Sequence, residues 1–166
     1  MKQIIFSILS ITFFLVSCKD NKNSALNFNK KIVNMNKEFY AHGEKFGKEL
    51  NAAMSSHDFS NFSKVCEEAQ KLIDDNITKV EAMENVAGSE EFKKVTLEYF
   101  KFEKDMVQKY FMPFKKMNAA TTEEEIKQAA TNLMNAVKEE EAYLVRARKA
   151  QEEYAEKNGL AMEPEE

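Results

Sequence analysis

The sequence predicts an all-α fold, an antiparallel up-down-up-down four-helix bundle behind a short N-terminal targeting segment. Three observations lead there. Apolar residues recur every three to four positions through four long stretches, the period of a single helix face. The 166 residues include only four glycines and two prolines, so there are few strong helix breakers. The connections are a few residues long, which makes consecutive helices antiparallel neighbours. No window shows the sustained alternation of a strand.

The chain opens with Lys2 and an apolar run from Ile4 to Val16, softened by Ser7, Ser10 and Thr12. A charged start and a short apolar core read as a secretory signal, and the run falls below the roughly 20 apolar residues a membrane-spanning helix needs. It ends in Leu15-Val16-Ser17-Cys18, two apolar residues and a small one before a cysteine. That quartet resembles the lipobox of bacterial lipoproteins. The resemblance implies acylation of the Cys18 thiol, palmitate included, and cleavage before Cys18. A thiolate is the nucleophile suited to that transfer. One acyl chain, at ~0.8 kcal/mol per buried CH₂, binds a membrane only marginally, whereas two or three anchor it stably. The expected organisation is a signal peptide at 1–17, a lipidated cysteine and polar tether at 18–26, the bundle at 27–160 and a frayed C-terminus at 161–166.

The first helix is predicted from about Asn27 to Ser55, with Phe28, Ile32, Met35, Phe39, Phe46, Leu50 and Ala53 on one face and Tyr40 at its flank. Ser55-Ser56-His57-Asp58 supplies breaking and capping residues. The second runs from about Phe59 to Ala87 through Phe62, Val65, Ala69, Ile73, Ile77 and Val80. Gly88 is placed to end it in the left-handed conformation, and Ser89 to cap the third helix ahead of Glu90 and Glu91.

The third helix, about Ser89 to Met117, is the aromatic one, with Phe92, Tyr99, Phe102, Tyr110 and Phe114 in its stripe. Pro113 lies inside that pattern; it lacks a backbone donor and clashes with the preceding turn, so an irregularity is predicted between Lys109 and Pro113. Thr122-Glu123-Glu124-Glu125 has the form of a capping box opening the fourth helix. Its stripe is Ile126, Ala130, Leu133, Val137, Leu144, Ala147 and Tyr154, and Asn158-Gly159 closes it after Lys157.

Charge narrows the possible partners. Basic side chains number 24 and acidic 28, a net charge of −4, and removing Met1–Ser17 takes away one lysine and no acid. Nucleic-acid binding needs a clustered basic footprint, and the lysines between Lys93 and Lys116 alternate with Glu98, Glu103 and Asp105, so they read as a solvated face. With Cys18 lipidated, Cys66 has no cysteine to pair with and reads as a small buried hydrophobe beside Val65.

The candidate functional residues are polar side chains inside apolar stripes. His42 falls on the core side of the first helix and Glu140 on the core side of the fourth; a pairing between them would satisfy both. Glu38 lies one turn from His42. These three are the metal-ligand candidates. The Glu-x-x-His pairs of a di-iron bundle, Cys-x-x-Cys-His, nucleophile elbows, glycine-rich phosphate loops and His-Glu-x-x-His are all missing from the sequence. No catalytic residue and no cofactor are therefore expected. The alternative is a metal- or haem-binding bundle that uses His42.

Ala150-Gln151-Glu152-Glu153-Tyr154-Ala155-Glu156-Lys157-Asn158-Gly159-Leu160, the stretch Leu97-Glu98-Tyr99-Phe100-Lys101-Phe102, and Tyr110-Phe111 together resemble a group of bacterial surface lipoproteins of unknown function with a four-helix mature domain. The resemblance implies a fold and a location and carries no catalytic residues. Lys19-Asp20 also resembles the basic-then-acidic signals that send some lipoproteins to the outer surface. The expectation is a non-enzymatic helical module, lipid-anchored in the bacterial cell envelope at the outer membrane. Its partners would be membrane lipid, through the acyl anchor, and a protein or small molecule the sequence does not identify.

Overall fold

A computed structural model describes residues 17–118 and 120–161, with backbone alone for 17–20. The segment before Ser17, where the signal peptide and the first two residues of the lipobox-like quartet, Leu15 and Val16, are expected, lies outside the described residues, as does the chain after Ala161. The described chain is all helical: α1 (Ser17–Ser56), α2 (Phe62–Ala82), α3 (Glu90–Met106), a π-helical turn (Val107–Phe111), α4 (Met112–Lys115) and α5 (Glu123–Lys157). From α3 to α4 the chain is one helical rod, so four rods make the domain. Lengthwise packing joins α1 to α2, α2 to α3 and α3 to α5. Among the described residues no helix is long and apolar enough to cross a membrane.

α1 is 40 residues, about 60 Å at 1.5 Å per residue. It begins at Ser17, so the stretch 18–26, expected as a tether, is helical here. Polar composition suggested a tether, but the segment contains no glycine or proline to interrupt a helix. Ala25, one turn before Phe28, is fully buried with Phe28, Phe92 and Tyr154. That contact extends the helix beyond the residues the apolar stripe marks. At its other end His57 takes a left-handed backbone (φ 55°), and the Asp58 carboxylate accepts the Ser60 N–H at 2.9 Å.

α2 stops at Ala82, short of the expected Ala87. Its last carbonyls have an outside partner: the Lys93 ammonium of α3 bonds the carbonyl oxygens of Glu81 and Met83. Gly88 does adopt a positive φ of 75°, but in the loop, directly after Ala87 at φ 51°. Ser89 does not cap α3 through its side chain. Its hydroxyl instead accepts the Val86 N–H at 3.0 Å, closing the loop on itself.

The irregularity expected near Pro113 is present as the π-helical turn Val107–Phe111. A proline ring crowds the carbonyl four residues back and cannot bond it; a turn widened by one residue relieves both problems. α5 opens as its sequence predicts. The Thr122 hydroxyl accepts the Glu125 N–H, and the Glu125 carboxylate accepts the Thr122 N–H at 2.9 Å. It closes with Leu160 N–H on the Ala155 carbonyl and Gly159 N–H on that of Glu156, with Gly159 at φ 59°. This is a Schellman close.

The core falls into two large clusters and a small one between them. One end gathers Phe28, Ile32, Val80, Phe92, Tyr99, Phe100 and Tyr154. The other gathers Phe46, Phe59, Phe62, Cys66, Met106, Phe114 and Leu133. Ala69, Ile73 and Val107 lie between, with Phe39, Ile77 and Phe111 against them. Val137 and Leu144, expected in the core stripe of the fourth helix, remain 47% and 45% exposed. The apolar face of α5 is wider than its neighbours cover.

Candidate functional site

Cys18 lies in the first turn of α1, one residue after its start at Ser17. The other sequence candidates separate. Glu38 is exposed. His42 is half-buried and exerts its charge on Glu68 of α2. The main partner of Glu68 is Lys45, at 2.7 Å, and that hydrogen bond first of all holds its carboxyl below the usual range. Glu140 is half-buried on α5 and acts on Glu103 of α3 through its charge and a hydrogen bond. Among the described residues no group of three or more His, Cys, Asp or Glu side chains could hold a metal ion.

Glu103, read from the sequence as part of a solvated face alternating with lysines, is instead buried, because α3 turns it toward the neighbouring helices. It is only 4% exposed, and one of its oxygens, Oε1, has no hydrogen-bond partner. Burial, then the charge of Glu140, then the hydrogen bond to Glu140, push its carboxyl up to about 9. At neutral pH Glu103 therefore holds its proton. One turn earlier on α3, burial raises the Tyr99 phenol above its usual range, with Glu103 and Glu140 adding to the effect.

Two asparagines accompany the acids. Asn76 of α2 is 0% exposed, and neither its Oδ1 nor its Nδ2 is hydrogen-bonded; Asn36 Oδ1 of α1 is buried and likewise without a partner. Each of the four rods thus places a polar side chain at mid-length: Asn36, Asn76, Glu103 and Glu140. A signal for this was present in the sequence. Asn76 sits three residues after Ile73 and four before Val80, and Glu103 sits four after Tyr99 and three before Met106. Each occupies a core position that the apolar stripe assigned to its neighbour, Ile77 or Phe102.

Cys66 is fully buried, and its thiol donates to the Phe111 carbonyl at 3.8 Å, at the end of the π-helical turn. Burial lifts the thiol to about 11, so it is neither thiolate nor reactive at neutral pH. Apart from Lys93, which bonds backbone carbonyls, lysines of α3 and α4 face carboxylates: Lys104 meets Asp74 at 2.6 Å, Lys115 meets Glu67 at 2.6 Å and Lys101 meets Glu81 at 3.5 Å. They form ion pairs along the helix surfaces, with no uncompensated basic patch among them.

No protein-family model matches the chain, and neither the curated proteins nor the solved structures compared with it give a match.

Proposed function

We propose that this chain is a lipid-anchored protein of the bacterial cell envelope whose helical domain is a non-enzymatic, partner-binding module. The observation that carries the proposal is Leu15-Val16-Ser17-Cys18 at the end of an apolar N-terminal run. The signal segment is cleaved before Cys18, and the acylated cysteine holds the domain on the outer membrane. Because helix α1 starts beside that cysteine, the domain would meet the bilayer through a helical stem. Such a stem fixes the domain close to the membrane and restrains its orientation, unlike a polar tether.

Within the domain the arrangement we infer is an antiparallel up-down-up-down bundle. Support comes from cross-helix pairs whose residue numbers run in opposite senses on neighbouring rods. Lys104 pairs with Asp74 and Lys115 with Glu67 across α2 and the α3–α4 rod. The Tyr154 hydroxyl and Asn158 amide reach the Val86 and Ala87 carbonyls, tying the end of α5 to the loop before α3.

The test is Cys18→Ala expressed in a bacterial host fed a labelled fatty acid. Wild type is expected in the membrane fraction, labelled, with the signal segment removed. The variant is expected to lose the label and to leave the membrane fraction or remain uncleaved. A variant that still incorporates label would sink the proposal.

A further inference from the structure

Among the described residues, the exposed large hydrophobic side chains are Tyr40 of α1 and four on α5: Met134, Val137, Leu144 and Val145. Met134 and Val145 are the barest of the four, at 67% and 60% exposed. At 3.6 residues per turn these four fall within about 100° of arc. The buried Leu133, Ala136, Ala150 and Tyr154 occupy the adjoining face. Helix α5 therefore carries two apolar faces, and only one of them packs within the domain. A bare apolar face of this kind marks a contact surface. α1 leaves room beside it. Asn29 of α1 accepts a hydrogen bond from Gln151 of α5 at 3.1 Å, and Tyr40, eleven residues on, returns to the same face of α1. Gly43 and Gly47 continue that face, and nothing stands within 4 Å of where a Cβ would sit on either. In the antiparallel arrangement inferred above, Tyr40 comes level with the centre of the α5 patch.

The charges around the patch say what fits it. Lys127 and Lys138 border its N-terminal half, Glu141 and Glu152 its C-terminal half, and all four are exposed. When a second α5 is laid antiparallel, with the midpoint between Glu139 and Glu140 as the centre, Lys138 falls opposite Glu141 and Lys127 opposite Glu152. Met134 falls opposite Val145, and Arg148 opposite Thr131. Glu140 is turned to Glu103 of α3 and Glu139 lies farther still from the patch, so no like charges meet at the centre. A parallel pairing would instead set lysine on lysine and glutamate on glutamate.

We propose that this face is a self-association surface: α5 of a second copy lies antiparallel on it, about a two-fold axis at the level of Glu139 and Glu140. A two-fold contact needs a surface complementary to itself, and the order of lysines before glutamates along α5 supplies that. Removing Met134, Val137, Leu144 and Val145 of both copies from water provides the attraction. The Lys138–Glu141 and Lys127–Glu152 pairs lie at the rim, where they set orientation and register more than they add affinity. Contact along one helix pair is smaller than the roughly 800 Å² per partner of a standard interface, so the dimer is a weak and reversible one. The inference goes beyond the proposed partner-binding role by naming a partner, and it does not rest on the lipid anchor.

The experiment is analytical ultracentrifugation of the purified full chain in non-ionic detergent over a rising concentration series, read for association and for bound detergent. Expected is a reversible monomer–dimer equilibrium in the micromolar range. Leu144→Glu, at a half-exposed position, is expected to weaken it about tenfold or more while circular dichroism stays helical. Lys138→Glu and Glu141→Lys are each expected to weaken it severalfold. An equimolar mixture of those two variants is expected to associate again, because each residue 138 then faces an opposite charge at residue 141 of the other chain. A folding defect in either variant would not be repaired by mixing. A chain that stays monomeric at millimolar concentration would overturn the proposal. So would a dimer that all three variants leave unmoved, which would put the contact elsewhere on the domain, or a mixture no stronger than its components. A monomer that loses bound detergent on Leu144→Glu would also overturn it, and would give the face to a lipid surface. None of these results bears on acylation, which the Cys18→Ala labelling decides separately.

Discussion

At one end of the domain Phe46, Phe59, Phe62, Phe111 and Phe114 meet ring against ring, with centroids 3.8 to 6.5 Å apart. At mid-length the same four rods present Asn36, Asn76, Glu103 and Glu140 to one another's level. The aromatic end needs nothing beyond itself: its atoms are apolar, and each ring finds edges and faces of others to pack on. The middle is incomplete, with four polar atoms removed from water and given no protein partner. The rings pack the core at that end, and the buried titratable group lies where the orphans are. A domain held by its aromatic clusters can carry a costly middle without losing its fold.

That contrast can be broken from either side. The largest effect is expected at the aromatic end. Phe62 is 1% exposed and meets Phe46, Phe59 and Phe114; Phe62→Ala is expected to cost about 3–5 kcal/mol, read as a lower denaturant midpoint at unchanged slope. A loss under about 1 kcal/mol would show that this cluster is not where the stability lies. A smaller effect of opposite sign is expected at the middle. Asn76→Leu replaces two orphaned atoms by methyl groups on a side chain of the same branched shape, and is expected to stabilise the fold by about 1–2 kcal/mol. Destabilisation of similar size would mean that Asn76 is partnered after all.

The aromatic end was largely legible in the sequence and the middle was not, for a physical reason. Phe62, Val65, Phe114 and Leu133 announce themselves by type, and their spacing fixes the face they share. The capping box at Thr122 and the close at Gly159 are equally local: a few residues determine each, and the structure carries both. Pro113 forced an irregularity through covalent geometry alone. Glu103 and Asn76 are polar residues one position away from an apolar neighbour, and a helix 3.6 residues per turn can rotate by that much to bury either. Which one goes inside is decided by the partner helix, and a single chain read in order does not hold that information. The early start of α1 has the same origin, since Ala25 is buried by Phe92 and Tyr154 from distant parts of the sequence. So has the exposure of Val137 and Leu144, whose spacing matches the core stripe but whose neighbours leave them half uncovered. The fold class was local; the polar level is tertiary.

The most direct measurement of the central claim, that an ionisable group sits incompletely satisfied at mid-length, is stability against pH for wild type and Glu103→Gln. The Glu103 carboxyl is raised in the folded chain from an ordinary 4.5 to about 9. The folded state therefore binds the proton more tightly than the unfolded one, and the stabilisation is complete below about 4.5 and lost as pH rises through about 9. One such group changes the unfolding free energy by at most about 1.4 kcal/mol per pH unit. Chemical denaturation from pH 5 to 9 is expected to show wild type losing stability relative to Glu103→Gln as pH rises, the gap widening steadily across that window. Parallel profiles for the two proteins would contradict the account.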